Sequence, residues 1–210
     1  MDVQQAYELW SASYDTDHNP TRDLDSTVMV QTLAEQQFAA ILEIGCGTGK
    51  NTSLLAGVGE AVTAVDFSPG MIAQAKAKIT APHVTFQVAD ITQPWPTPTA
   101  AFDLVTCNLI LEHIEDLDFV IGQASRALKP GGRLFICELH PFKQYLGSQA
   151  RFTQNEQTIF IPAFVHHISD FLTAAAANGL TLAALNEWWH AADEGKPPRL
   201  VTFLFQKNDA

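Results

Sequence analysis

The fold of this chain is decided by one stretch of its sequence, Ile41-Leu42-Glu43-Ile44-Gly45-Cys46-Gly47-Thr48-Gly49. The apolar run Ala40–Ile44 predicts a buried strand, and three glycines alternate with other residues directly after it. Glycine permits a tight turn and lets a ligand lie against the backbone. A helix predicted over Lys50–Ala56 presents free backbone N–H groups at its first turn. The stretch therefore predicts a strand, a ligand-binding loop and a helix, in that order.

Short apolar runs that follow this stretch indicate further strands of the same sheet. They are rich in Val, Ile, Leu and Phe, as the strands of a parallel sheet covered on both faces must be. Helices are predicted between them over Pro69–Lys78, which Ser68 caps, and over Asp116–Leu128. The alternation of strands and helices predicts an open, doubly wound α/β sheet. The predicted strands are Ala61–Val65, Val84–Val88, Asp103–Cys107 and Arg133–Cys137.

The last part of the chain predicts a different arrangement. A helix is expected over Ser169–Asn178, with Ser169 as its N-cap and Gly179 as its stop. The segments Leu180–Trp189 and Leu200–Phe205 read as strands. Their connection is too short for a crossover helix, so they are expected to pair antiparallel. The sheet is thus predicted to be mostly parallel and to close with an antiparallel hairpin.

The composition argues against several classes of protein. Net charge is −11, so the surface repels phosphate backbones and anionic membranes, and neither nucleic acid nor a membrane is expected as a partner. Three cysteines, Cys46, Cys107 and Cys137, lie in or beside apolar runs and form no CxxC pair. Because this pattern does not suggest a disulfide framework, a reducing, cytoplasmic location is expected.

Three ligands are compatible with a glycine loop at this place. A phosphate-binding P-loop requires G-x-x-x-x-G-K-[ST], but only three residues separate Gly45 from Gly49, and Asn51 occupies the Ser/Thr position. A dinucleotide loop requires G-x-G-x-x-G, and here the third glycine comes one residue early. An adenosylmethionine loop is the third interpretation. On the loop alone, all three stay open.

A series of motifs follows the predicted strands between about 40 and 139. They are Glu43-x-Gly45-Cys46-Gly47-x-Gly49, Val65-Asp66-Phe67-Ser68-Pro69-Gly70-Met71, Ala89-Asp90-Ile91, Phe102-Asp103-Leu104-Val105 with Asn108 and Leu111-Glu112-His113, and Leu128-Lys129-Pro130-Gly131-Gly132. In their order and spacing, the sequence resembles the class I S-adenosylmethionine-dependent methyltransferases, small-molecule type. The fourth-strand motif lacks the Asn/Asp-Pro-Pro-aromatic pattern of nucleic-acid amino-methylating enzymes.

The resemblance implies a Rossmann-like open sheet of seven strands in the order 3-2-1-4-5-7-6, with the last strand antiparallel and helices on both faces. It implies S-adenosyl-L-methionine as the cofactor. Asp66 ends the second strand, where a carboxylate accepts hydrogen bonds from two ribose hydroxyls; the other interpretation is a helix cap. Asp90 is expected near the adenine amine, unless it only forms a turn. The implied cofactor-binding residues are Tyr14, Arg22, Glu43, Gly45, Cys46, Gly47, Gly49, Asp66, Phe67, Met71, Asp90, Ile91 and Asn108.

A single domain is expected over residues 1–210. Tyr7, Trp10 and Tyr14 recur at helical spacing in the first segment, either as part of a lid over the cofactor or as simple packing on the sheet. The predicted parts are an N-terminal helical lid (1–37), a cofactor-binding core (38–139), a substrate-pocket insertion (140–168) and a helix with the closing hairpin (169–210).

Methyl transfer requires an aligned acceptor and, for hydroxyl or acid acceptors, a base. The candidate catalytic residues are His113, His140 and Tyr145, and no metal site is expected. The predicted function is methyl transfer to a small-molecule acceptor, with oxygen preferred over nitrogen or carbon, by a monomer or homodimer. Two alternatives stay open: an NAD-dependent oxidoreductase and a non-catalytic adenosylmethionine-binding protein.

Overall fold

A computed structural model describes residues 1–154 and 156–209. Its main feature is a seven-stranded sheet, in which five parallel strands are followed by an antiparallel pair. The seven strands of this sheet are β1 (Phe38–Ile44), β2 (Gly59–Asp66), β3 (Val84–Val88), β4 (Phe102–Asn108), β5 (Leu128–Leu139), β8 (Leu180–Trp188) and β9 (Leu200–Lys207). A separate two-stranded sheet contains β6 (Arg151–Gln154) and β7 (Gln157–Phe160).

The strand order of the main sheet is β3-β2-β1-β4-β5-β9-β8, and not the predicted 3-2-1-4-5-7-6. The reason is the β6–β7 hairpin, which the sequence analysis missed and which takes two numbers before the closing pair. Strand β9 runs antiparallel to both β5 and β8, as expected for the hairpin. The α/β, Rossmann-like class of the sheet is therefore confirmed, and the order is corrected.

The helices of the parallel part lie close to their predicted bounds. Ser68 caps α4 as predicted, since its Oγ accepts a hydrogen bond from Met71 N. The helix α3 begins two residues later than predicted because the glycine loop extends to Asn51. The helix α7 begins at Ile168 and not after Ser169, and Asp170 accepts a hydrogen bond from His167 N. The helices are α1 (Val3–Trp10), α2 (Pro20–Leu33), α3 (Thr52–Val58), α4 (Pro69–Lys78), α5 (Leu117–Ala127), α6 (Pro141–Tyr145) and α7 (Ile168–Ala177).

The sheet buries both of its faces. Neighbouring residues of β1 alternate between them, so Ile41 packs with α2 and α3 while Leu42 packs with α5 and α7. Both side chains are fully buried. This packing fixes the ends of β1, β2 and β4 side by side, and the loops that follow these strands meet at one edge of the sheet. None of the described helices has the length and apolar character that a membrane-spanning helix needs.

Candidate functional site

The glycine loop joins the ends of β1 and β2. The backbone N–H groups of Gly45 and Cys46 both donate to the carbonyl of Val65, over 2.8 and 2.9 Å. Gly45 has a φ of 73°, and a Cβ at this position would lie 2.2 Å from Cγ2 of Ile110. Only glycine therefore fits at position 45 without moving the segment that follows β4. A Cβ at Gly47 would meet nothing within 4 Å, so this part of the loop faces open space.

Asp66 closes the other side of this space at the end of β2. Its Oδ2 accepts a hydrogen bond from Gly47 N over 2.8 Å, and its Oδ1 accepts one from Ser68 N over 2.9 Å. Burial raises the pKa of the Asp66 carboxyl, and these backbone hydrogen bonds oppose the shift. Each carboxylate oxygen has a second lone pair, and Asp66 lines the cavity beside it. The carboxylate can thus accept two hydrogen bonds from a ligand.

A cavity of about 340 Å³, here called the first cavity, lies over the loop at this edge of the sheet. It combines apolar walls with a few polar groups, as small-molecule sites commonly do. The predicted residues that line it are Tyr14, Gly45, Gly47, Asp66, Phe67, Met71, Asp90, Ile91, Asn108 and His113. Predicted residues from five different segments are therefore brought together around one cavity.

Three predicted cofactor residues lie behind or beside this cavity. Glu43 is buried in β1, and its Oε2 accepts a hydrogen bond from Thr52 Oγ1 over 2.5 Å. Burial raises the pKa of Glu43 to about 8. Cys46 is buried in the loop, and Gly49 lines a separate cavity with Lys50. Glu43 thus lies in the strand that leads into the loop, and Cys46 and Gly49 are parts of the loop that do not line the first cavity.

Arg22 lies beside the first cavity, at the start of α2. Its guanidinium stacks on the ring of Tyr14, 4.0 Å from the centroid, and donates to the backbone carbonyls of Tyr14 and Asp17. Asn108, at the end of β4, donates to Asp25 Oδ1 over 2.6 Å. Asp25 is a buried residue of α2 that the sequence analysis did not single out. The segment before β1 is thus fastened to the mouth of the cavity from two sides.

Helix α1 covers the first cavity. Gln4 Nε2 donates to the carbonyl of Phe67, and Glu8 Oε2 accepts hydrogen bonds from Ser68 Oγ and Gly70 N. The helix ends at Trp10, so Tyr14 lies in the turns beyond it and not on the same helix. The rings of Trp10 and Tyr14 are nevertheless in contact, with centroids 4.8 Å apart. Trp10 and Tyr14 are thus in contact, although Tyr14 comes from the turns after α1 and not from the same helical face.

His113 follows β4 and has both ring nitrogens engaged. Nδ1 lies 2.7 Å from the carbonyl of Pro162, and Nε2 lies 2.9 Å from the hydroxyl of Tyr7. A carbonyl only accepts, so Nδ1 carries a proton, and in the neutral ring Nε2 accepts from Tyr7. Burial lowers the pKa of His113, which favours this neutral form. Nothing in the sequence analysis singled out Tyr7 as the partner of His113.

The other two catalytic candidates lie elsewhere. His140 is buried at the start of α6, where Nδ1 accepts a hydrogen bond from Phe142 N and Nε2 lies 2.9 Å from Glu187 Oε1. Tyr145 is 59% exposed, and its hydroxyl bonds to His167 Nδ1. Both lie outside the first cavity. In the part of the chain that the structure describes, no group of three or more His, Cys, Asp and Glu side chains is arranged to hold a metal ion.

A second cavity, of about 320 Å³, adjoins the first and shares Tyr7, Tyr14 and Leu109 with it. Glu112 lines it beside these shared residues. The sequence analysis placed Glu112 in a motif without giving it a role, although its position next to His113 was a signal. The basic residues of the lining are His18, Arg22, Lys143, Arg151 and Arg199.

Several known proteins with similar sequences or folds are methyltransferases. A family model described as a methyltransferase domain matches residues 42–136. The ubiquinone biosynthesis O-methyltransferase of Xanthomonas oryzae pv. oryzae is 30% identical over 139 residues, which cover 65% of this chain and 58% of that protein. The demethylmenaquinone methyltransferase of Tropheryma whipplei is 28% identical over 156 residues, covering 73% of this chain and 61% of that protein.

Among solved structures, the N-methyltransferase NodS from Bradyrhizobium japonicum, in complex with S-adenosyl-L-homocysteine, has a similar fold. Its TM-score is 0.74 at 21% sequence identity, and the match covers 100% of both chains. Residues 42–136 thus match a methyltransferase domain, and the whole chain has the fold of the NodS structure. These matches support a class I S-adenosylmethionine-dependent methyltransferase with S-adenosylmethionine as its cofactor.

The residues of the first cavity fit this cofactor. Asp66 presents paired carboxylate oxygens, and no Lys or Arg stands on the lining of this cavity in the part of the chain that the structure describes, which suits two vicinal hydroxyls and disfavours a 2′-phosphate. The open side of Gly47 admits a ligand against the backbone. Phe67, Ile91 and Ile110 provide apolar walls for a flat base.

Proposed function

We propose that this protein transfers a methyl group from S-adenosylmethionine to a small-molecule acceptor. The observation that carries the proposal is the Asp66 carboxylate, which lines the first cavity opposite the open glycine loop. Asp66 would hold the ribose, and Asp90 with Ile91 would hold the adenine. The Gly45–Gly49 loop, with Tyr14, Arg22 and Asn108 around it, would receive the amino-acid end of the cofactor.

When bound, S-adenosylmethionine supplies a methyl carbon that is already electrophilic. The protein has to orient the acceptor and, for a hydroxyl acceptor, remove one proton. His113 suits this role because its Nδ1 hydrogen bond to Pro162 leaves the Nε2 lone pair directed toward Tyr7. Tyr7 is in reach of both cavities, so an acceptor hydroxyl that replaces or joins it would meet the same nitrogen.

Oxygen is the acceptor atom that we favour. A neutral histidine base is required for a hydroxyl more than for a carbon or an unprotonated amine, and His113 is held in that form. The printed name of the Xanthomonas relative, an O-methyltransferase, agrees with this choice.

The division of the chain into parts follows from the same proposal. Residues 1–37 act as the lid, since Tyr7 and Tyr14 line the first cavity from above. Residues 38–139 hold the cofactor, and residues 140–168 contribute Lys143 and Arg151 to the second cavity, where the acceptor would bind. Residues 169–210 complete the sheet.

The test is methyl transfer from labelled S-adenosylmethionine to a library of small hydroxyl and amine compounds. We expect a methylated hydroxyl product, and about a 100-fold or greater loss of kcat in His113→Gln, because a positioned base contributes this much. Cofactor affinity should be unchanged in that variant. His83→Gln is the matched control, since His83 directly precedes β3, bonds to the carbonyl of Ala56 in α3 and lines neither cavity.

Two other results would contradict the proposal. Tight binding of S-adenosylhomocysteine without product from any compound would favour a non-catalytic binding protein. Full activity of His113→Gln would leave the cofactor assignment standing and would remove His113 as the base.

A further inference from the structure

We propose that the second cavity recognises an acceptor that carries an anionic group, a carboxylate or a phosphate, and that Lys143, Arg151 and Arg199 bind it. The inference rests on the proposed function, because it assigns the acceptor of the same site. It specifies the acceptor by its charge, which neither the family match nor the similar proteins provide.

The first argument is the distribution of charge. The chain has only twelve Lys and Arg residues in total and a net charge of −11. Four of the twelve line this one cavity, namely Arg22, Lys143, Arg151 and Arg199. Glu112 is the one acidic residue on the described lining, and Asp193 pairs with both Lys143 and Arg199, so these two carboxylates offset at most two of the four positive charges. An anion is repelled by the surface as a whole and attracted here.

The second argument is that two of the cations are held in place. Lys143 and Arg199 both donate to Asp193, which is fully buried beneath them, over 3.0 and 2.7 Å to its Oδ1. Arg199 also donates to Thr21 Oγ1. An ammonium group has three N–H donors, and the bond to Asp193 takes one of those of Lys143. The ion pair thus fixes both side chains before a ligand arrives and leaves donors that face the cavity.

The third argument is an unpaired polar group on the same lining. Glu112 is 8% exposed, and its Oε2 has no hydrogen-bond partner among the residues that the structure describes. A buried polar atom without a partner is costly, and its presence indicates a ligand or an ordered water. Glu112 would accept a hydrogen bond from an N–H or O–H group of the methyl-accepting molecule. The cations would bind the anionic end of that molecule. Trp10 and Tyr7 line the space between, which suits a ring or another apolar body.

The experiment is calorimetry on protein saturated with S-adenosylhomocysteine, titrated with benzoate and, separately, with the neutral analogue benzamide. We expect benzoate to bind at least about ten-fold more tightly, because one charge-assisted hydrogen bond is worth that factor or more. Phenyl phosphate forms a third arm. Whichever anion binds more tightly identifies the acidic group of the acceptor.

Two variants and a control locate the effect. Arg151→Gln removes an exposed guanidinium that stacks loosely on Phe160, so the fold is not at risk, and the preference for benzoate should fall several-fold. Lys143→Gln should reduce it further. Lys76→Gln, on the exposed face of α4, should leave it unchanged.

The inference is overturned if benzoate shows no preference over benzamide in the wild type, including the case in which neither binds. It is also overturned if the preference survives in both Lys143→Gln and Arg151→Gln. Failure of the proposed function appears separately, either as absent S-adenosylhomocysteine binding in these samples or as absent product in the labelled-methyl assay.

Discussion

The two cavities adjoin one another, but the chain builds them in different ways. The floor of the first cavity is formed by strand ends, with contacts such as Gly47 N to Asp66 Oδ2 across neighbouring strands. The second cavity is formed by side chains from distant segments, and Arg199 and Thr21 meet across 178 positions of sequence. The lining of the first is mostly apolar, whereas that of the second holds four Lys and Arg side chains and Glu112.

The difference indicates which part of the site related enzymes can share and which part is specific to one acceptor. A glycine loop and an acidic strand end follow from the architecture of a parallel sheet, so related enzymes with different acceptors can share them. The charged lining depends on residues of the segment after β5 and of the β8–β9 connection, which the sheet does not constrain. We therefore expect the cofactor to be specified by the first cavity and the acceptor by the second.

The largest effect is expected from breaking the support of the second cavity. Asp193→Asn removes the buried carboxylate that the half-buried Lys143 and Arg199 share, and it should lower the free energy of unfolding by about 3–5 kcal/mol. Urea unfolding measures this loss. The loss should be smaller in Asp193→Asn combined with Lys143→Gln, since one uncompensated charge is then absent. A loss below about 1 kcal/mol in the single variant would mean that this pair behaves as a surface ion pair.

A smaller effect is expected from breaking the first cavity at its loop. Gly45→Ala places a Cβ against Ile110 at a positive φ, which should cost about 2–4 kcal/mol of unfolding free energy and abolish S-adenosylhomocysteine binding. Gly57→Ala is the matched control, because Gly57 lies inside α3 with open space at the Cβ position. That variant should be slightly stabilised, by about 0.5–1 kcal/mol. Equal behaviour of the two variants would show that position 45 has no special requirement.

The smallest effect is a difference in pH dependence: the stability contributed by Glu138, beside the first cavity, and by Asp193, behind the second, is lost at different pH values. Burial raises the pKa of Glu138 to about 8, and Glu138 supports the turn beside the first cavity through Ile110 N and Leu111 N. A carboxyl with a raised pKa in the folded protein stabilises the fold fully below its unfolded value near 4.5, and this stability is lost as pH rises through about 8. Asp193 has its pKa held well below the usual range, chiefly by Arg199 and Lys143 against the effect of burial, so its contribution is lost only in acid.

The unfolding free energy should therefore fall between about pH 4.5 and 8, and Glu138→Gln should reduce the slope by up to about 1.4 kcal/mol per pH unit. Unfolding in denaturant at several pH values measures this slope of the unfolding free energy against pH. Glu60→Gln, on an exposed carboxylate of β2, should leave the slope as it is. An unchanged slope in Glu138→Gln would show that Glu138 is ionised in the folded protein at neutral pH.

The sequence predicted the parallel sheet and most of the first cavity because both follow from local patterns. The loop and Ser68 as a cap are each encoded within a few residues, whereas the order of the strands up to β5 followed from the resemblance to a known family. The β6–β7 hairpin escaped prediction because its strands have four residues each and β7 is mostly exposed, which leaves no alternation to detect.

The second cavity could not be predicted for a related reason. Lys143, Asp193 and Arg199 belong to no motif, and only the folded chain brings them within hydrogen-bond distance. His140 illustrates the opposite problem. It follows β5 at the expected edge, but its ring caps α6 and contacts Glu187, so position along the strand alone did not determine where the side chain lies.

Calorimetry with S-adenosylhomocysteine and NADH tests the central assignment most directly. Wild-type protein should bind one S-adenosylhomocysteine and no NADH. Asp66→Asn should weaken that binding about 10- to 100-fold, as the loss of charge-assisted hydrogen bonds requires, while Glu60→Gln at the other end of the same strand should not. Binding of NADH in place of S-adenosylhomocysteine, or an Asp66→Asn variant that binds as tightly as the wild type, would contradict the account.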